Sequence, residues 1–136
     1  MKKLLVDAGP LIALFDKHDQ YHKRVLAQVK RFEEIMHTTW PVITEVSHML
    51  NFNLQAQIDF LEWISLGGLE IANLSFTDLE RILDLTKMYE NVPMDLADAS
   101  LVVLSEHLRT NRILSIDSDF QIFQNRFKDY LMNELE

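Results

Sequence analysis

Short apolar runs alternate along this chain with longer stretches whose apolar positions recur every three or four residues, the pattern of buried strands separated by amphipathic helices. Residues 3–6 read as a buried strand, and Pro10 opens a short helix through Phe15 after the turn Asp7-Ala8-Gly9, a position that suits proline. A longer amphipathic helix is expected over roughly 20–35, with Val25, Val29, Phe32 and Met36 on one side. Thr38-Thr39-Trp40 reads as a weak second strand, and Pro41 starts a helix to about Asn51 with Val42, Val46, Met49 and Leu50 along its stripe. A further helix covers about 55–65 and ends at Gly67-Gly68, glycines being common at helix C-termini. A strand over 69–74, a helix from Thr77 to about Tyr89, a helix from about Met94 to Leu108 and a strand over 113–116 complete the pattern. This alternation of strands and helices predicts a layered α/β domain with a mostly parallel sheet.

The helix beginning near Met94 carries Leu96, Leu101, Val102, Val103, Leu104 and Leu108 around most of its circumference, which predicts a buried helix. Asp95 and Asp98 are three apart on it and therefore share a face. Asp7 closes the apolar run Leu4-Leu5-Val6, and Asp117 closes Ile113-Leu114-Ser115-Ile116, so both stand at C-terminal strand ends, the edge where open α/β sheets bind ligands. Glu45 lies in the first turns of the helix after Pro41. Each acid has a structural reading. Asp7 caps the helix at Pro10, Asp95 or Asp98 answers the positive end of a helix dipole, Asp119 caps a short helix over 120–123, and Glu45 is an ordinary exposed helix residue. Taken together they fall on one expected edge, where three or four negative charges require protons or a cation. A divalent, oxygen-binding metal follows as the sharpest expectation.

Composition narrows the rest. The 136 residues, 48% of them hydrophobic, suit one compact domain over residues 1–136. The absence of cysteine excludes disulfides, thiolate metal sites and a cysteine nucleophile, and is compatible with a reducing cytoplasm. The apolar run in Met1-Lys2-Lys3-Leu4-Leu5-Val6-Asp7 is far too short for a secretory core or a membrane span, so a soluble cytoplasmic protein without membrane contact is expected. A formal charge of −8 argues against broad attraction to nucleic acid, leaving Lys23, Arg24, Lys30 and Arg31 as the local basic cluster able to position RNA backbone. The same cluster reads equally as a solvated helix face.

Four segments resemble, in order, the motifs of PIN-domain ribonucleases: Leu5-Val6-Asp7-Ala8-Gly9-Pro10, Val42-Ile43-Thr44-Glu45-Val46, Met94-Asp95-Leu96-Ala97-Asp98-Ala99 and Ile113-Leu114-Ser115-Ile116-Asp117-Ser118-Asp119. The size and motif order are most similar to the VapC toxins of toxin–antitoxin pairs. The resemblance implies a three-layer α/β/α PIN-like domain with a mostly parallel central sheet. It also implies an endoribonuclease using Mg²⁺ or Mn²⁺, held by Asp7, Glu45, Asp98 and Asp117 with Asp95 and Asp119 assisting. Ser115 takes the small hydroxyl position near the last acid, and Ser115 and Thr44 are candidates to bond a carboxylate or phosphate. An RNA substrate, a small antitoxin protein and a homodimer complete the implied partners. Family members often carry a hydroxyl or amide residue after the first acid, where this chain has Ala8-Gly9. The alternatives are a PIN nuclease of RNA maturation or decay and a non-catalytic PIN-like RNA- or protein-binding module.

Other chemistries fit the residues less well. A haloacid-dehalogenase-type phosphatase needs a second Asp where Gly9 stands, and a receiver domain needs a Lys after a late strand. His18 and His22 are spaced for joint ligation but lack an obvious third ligand nearby, and no glycine-flanked serine suggests a hydrolase nucleophile.

Overall fold

The fold is described from a computed structural model, which covers residues 2–92, 94–116 and 118–135, without the side chains of Ser118 and Asp119. Strand β1 (Leu4–Val6) leads into α1 (Ala8–Phe15) and α2 (His22–Arg31), then β2 (Met36–Thr39), α3 (Trp40–Met49) and α4 (Leu54–Ser65). Strand β3 (Leu69–Ala72), α5 (Asp78–Met88), α6 (Leu96–Leu108) and β4 (Arg112–Leu114) follow. A 3₁₀ turn (Ser118–Gln121) and a two-residue strand β5 (Met132–Asn133) close the chain.

The five strands form one sheet in the order β3-β2-β1-β4-β5, every pair parallel. Parallel sheets are covered on both faces, so their central strands are apolar throughout rather than alternating. Leu4, Leu5, Ile113 and Leu114 are accordingly buried without remainder. Helices α1 to α4 pack among themselves, and α5 packs on α6. Right-handed crossovers place these two groups on opposite faces, because the chain winds outward from β1 through β2 to β3 and then returns past β1 to β4. The result is the three-layer α/β/α architecture expected. That reversal opens a crevice between the C-terminal ends of β1 and β4, the place where doubly wound sheets take their ligands.

Several boundaries differ from the periodicity. The first crossover contains two separate helices, as expected. The second of them stops at Arg31, and Phe32 is already extended, because Met36 is drawn into the sheet opposite Leu4 and Leu69. Strand pairing here overrides the helical spacing that linked Met36 to Val29. Trp40 does not end β2 but opens α3, with Pro41 at the first turn. Gly67 ends α4 at φ +95°, a conformation that favours glycine, and a side chain at Gly68 would run into the Trp63 ring. Strand β5 had no periodic signal at all: two residues are too few to display one.

Candidate active site

Asp7 sits on the last rung of the β1–β4 ladder, its N–H donating to the Leu114 carbonyl at 2.9 Å. Its Oδ1 accepts the Ala8 N–H at 2.7 Å as the N-cap of α1, and its Oδ2 accepts the Ser115 hydroxyl at 3.1 Å. The neighbouring backbone is pinned as well, since the Thr38 hydroxyl donates to the Val6 carbonyl at 2.8 Å. Asp7 is therefore the cap of α1 and also lines the crevice. The two positions coincide because the strand-to-helix turn that needs a cap is also the turn at the crevice.

Asp95 and Asp98 form a reciprocal capping box at the start of α6. Asp95 Oδ1 accepts the Asp98 N–H at 2.7 Å, and Asp98 Oδ2 accepts the Asp95 N–H at 3.3 Å. Asp95 is exposed, whereas Asp98 is buried. Burial, followed by the negative charges of Asp95 and Asp7, pushes the Asp98 carboxyl up to about 8, against the opposing effect of its backbone hydrogen bond at Asp95. Glu45 reaches the same place from α3, which packs against both α1 and α6. Asp7, Glu45, Asp95 and Asp98 together line a pocket of about 270 Å³, closed by Gly9, Ile12 and Ile116. The small residues after Asp7 have a steric basis here. A side chain on Gly9 would approach Ile116 Cβ to 3.2 Å and narrow the pocket floor.

Four acids from three separate segments thus converge. Of the remaining expected residues, Asp117 lies outside the described residues, as does the side chain of Asp119. Ser115 takes its place beside Asp7, fully buried. Thr44 does not bond a carboxylate with its proton: its hydroxyl donates to the Trp40 carbonyl at 3.0 Å, one turn back along α3. Lys23, Arg24, Lys30 and Arg31 are all exposed on α2, and none lines the acidic pocket. Arg31 faces a separate hollow with Gln28, Phe32 and Glu134. Two of the histidines are occupied elsewhere. His22 Nδ1 meets the Ala13 carbonyl at 2.7 Å, and His107 Nε2 meets Asp78 at 2.7 Å.

Sequence reasoning missed Asn133. Its Oδ1 accepts the Ser115 N–H at 3.0 Å and its Nδ2 donates to the Ser115 carbonyl at 2.7 Å, clamping both backbone groups of the residue that orients Asp7. An asparagine near the end of a chain carries no signal of this kind, since its partner is 18 residues away and joined only through strand pairing.

The donor set is all carboxylate oxygen, which suits a hard divalent cation such as Mg²⁺ or Mn²⁺. The charge state of Asp98 supports the fit. Without a cation, this group settles the crowding by holding a proton to high pH. Among the described residues, no three acids or histidines are close enough to hold an ion by themselves.

The fold defines a doubly wound α/β domain with an acidic pocket at the crevice of its sheet, and comparison with known proteins places it. Residues 4–125 match the PIN domain model, so the chain belongs to the PIN domain family. It is similar to Ribonuclease VapC26 of Mycobacterium tuberculosis, 24% identical over 116 residues that span 84% of this chain and 86% of that one. Its fold matches the crystal structure of Mycobacterium tuberculosis VapC20, described as a Sarcin-Ricin loop cleaving toxin. The TM-score is 0.78 and the identity 16%, over 88% of this chain and 93% of that one. Among the described residues, no helix is long and apolar enough to cross a membrane.

Proposed function

We propose that this chain is a metal-dependent endoribonuclease and the toxin of a toxin–antitoxin pair, acting in the cytoplasm on single-stranded RNA or exposed loops. The observation that carries the reading is the convergence of buried Asp7 and Asp98 with Glu45 and Asp95 in one pocket at the β1–β4 crevice. PIN family membership and the similarity to Ribonuclease VapC26 support it.

Mg²⁺ or Mn²⁺ held by Asp7, Glu45, Asp98 and Asp117, with Asp95 and Asp119 assisting, would supply charge neutralisation at the phosphate and activation of water for phosphodiester hydrolysis. The chain's own residues prepare the place. Ser115 and the Ala8 N–H fix the two oxygens of Asp7 in different directions, so the carboxylate does not rotate. The capping box ties Asp95 to Asp98 and orients the latter toward the interior. Ile12 and Ile116 keep the floor apolar, strengthening every charge interaction above it. Glu45, exposed on a helix of its own, would orient the attacking water. The basic face of α2 supplies phosphate contacts for RNA that extends beyond the pocket.

A small antitoxin protein and a homodimer complete the proposal. An acidic crevice is an apt target for an inserted Arg or Lys, which would neutralise the carboxylates in place of metal. The experiment incubates the purified protein with structured RNAs in Mg²⁺ or Mn²⁺ and again in chelator. Internal cleavage that stops with chelator is expected, and cleavage that survives it overturns the metal mechanism. Growth arrest on expression, relieved by the small protein encoded beside it, tests the toxin role.

A further inference from the structure

The acidic pocket does not end at its carboxylates. Past Glu45 and Asp95, which belong to both, it continues into a larger open hollow of about 600 Å³ walled by Trp40, Pro41, His48 and Leu96. Two of these walls run against the normal rule for burial. Trp40 is 54% exposed, although indole is among the most favourable groups to bury. Leu96 is 57% exposed on a helix whose next ten residues are all buried. Leu96 is the exposed apolar side chain of α6, and it lines this hollow.

The Trp40 ring is also held in place. Its Nε1–H donates to Asn73 Oδ1 at 2.9 Å, from the loop after β3. A side chain anchored at its polar edge presents its flat face without having to be ordered on binding. Trp40 lies at the first position of α3, and Thr44 and His48 follow at intervals of four on the same side. One helix therefore delivers a fixed aromatic face and the carboxylate of Glu45 to adjoining spaces.

We infer that Trp40 is a stacking platform for the nucleobase adjacent to the scissile phosphate, and that the hollow beside it is a base subsite. The inference rests on the nuclease reading for which phosphate is meant, and on the geometry of Trp40 for the rest. Charge selects the occupant. Glu45 and Asp95 on the shared wall repel further phosphate, whereas a base is flat, uncharged and covalently attached to the phosphate that the neighbouring pocket takes. Stacking on an aromatic side chain recognises it with little dependence on sequence.

The test pairs protein and RNA changes. Trp40→Ala is expected to lower kcat/KM by roughly 5- to 150-fold, the rate equivalent of stacking one base, while Trp40→Phe retains most of the activity. A single abasic nucleotide next to the cleavage position is expected to cost the original protein a similar factor, and to cost Trp40→Ala almost nothing further. Equal abasic penalties in both proteins at every position overturn the subsite.

A second readout needs no cleavage. The chain has two tryptophans, and Trp63→Phe leaves Trp40 as the sole emitter, a mild change where Trp63 packs on Phe15 at 5.3 Å between ring centres. Titrating this variant in Mg²⁺ with a single-stranded oligoribonucleotide is expected to quench Trp40, and an abasic oligonucleotide to quench it less. Quenching in a preparation that cleaves no RNA upholds the platform while the nuclease reading fails; absence of quenching overturns the platform. If Trp40→Ala handles RNA normally and instead loses the small partner protein, the hollow belongs to a protein segment and the proposal falls.

Discussion

The Ser115 hydroxyl donates to Asp7 Oδ2 at 3.1 Å across 108 residues of sequence, joining the ends of two adjacent parallel strands at the mouth of the site. Replacing Ser115 by Ala should lower stability by about 1 kcal/mol, the ordinary worth of such a bond. It should also raise the half-saturating Mg²⁺ concentration for cleavage by about 10- to 100-fold, as loss of a partner that orients a metal ligand commonly does. A Mg²⁺ titration of cleavage rate checks this. An unchanged half-saturating concentration would remove Ser115 from the site.

Asn133 acts one step further out, through the Ser115 backbone. Asn133→Ala removes the side chain that bonds both Ser115 backbone groups and should cost about 1–3 kcal/mol. Hydrogen exchange at the Ser115 amide should accelerate well beyond that at Leu5, in the centre of the sheet. Equal acceleration at both would show general loosening instead of a local clamp.

Asp7→Asn and Asp98→Asn preserve shape, and an asparagine at position 7 still caps α1. Each should lower cleavage by about 100-fold or more, given the several kcal/mol a positioned metal contributes. Each should also raise the melting temperature in chelator, roughly 2–8 °C per kcal/mol of repulsion relieved. Mg²⁺ should stabilise the original protein more than either variant. Equal metal-induced shifts would take these two acids out of the ligand set.

The pH dependence of the metal-free protein follows from Asp98, whose carboxyl is pushed up to about 8 by burial and by the charges of Asp95 and Asp7. The folded protein holds this proton more tightly than the unfolded chain does. Its contribution is thus fully present below the ordinary carboxylate value of 3.8 and is lost as pH rises toward 8. Urea unfolding in chelator between these limits should show declining stability, and Asp98→Asn should abolish most of the decline. A parallel decline in the variant would assign it to another group.

Replacing Lys23, Arg24, Lys30 and Arg31 together by Gln should weaken RNA binding at all sequences and flatten its dependence on salt. Because none of the four lines the pocket, the rate of cleavage at saturating RNA should be unchanged. Unchanged affinity across a salt series would return α2 to plain surface.

Sequence alone placed Asp7 at a strand end, since an acid that closes an apolar run must stand there. It also identified α6 as buried from an apolar circumference, and four ordered motifs carried the family. Those features are local, so short-range periodicity displays them. What brought the acids into one pocket was tertiary: β4 lies beside β1 rather than beyond β3, which puts Ser115 against Asp7, and α3 touches α6, which brings Glu45 to Asp98. Asn133 in β5 and the exposed face of Trp40 were decided at the same level. Neither residue differs locally from an ordinary loop asparagine or core tryptophan. Hydrogen bonds across 18 and 33 residues give each its place, and contacts at such separations leave no period in the chain.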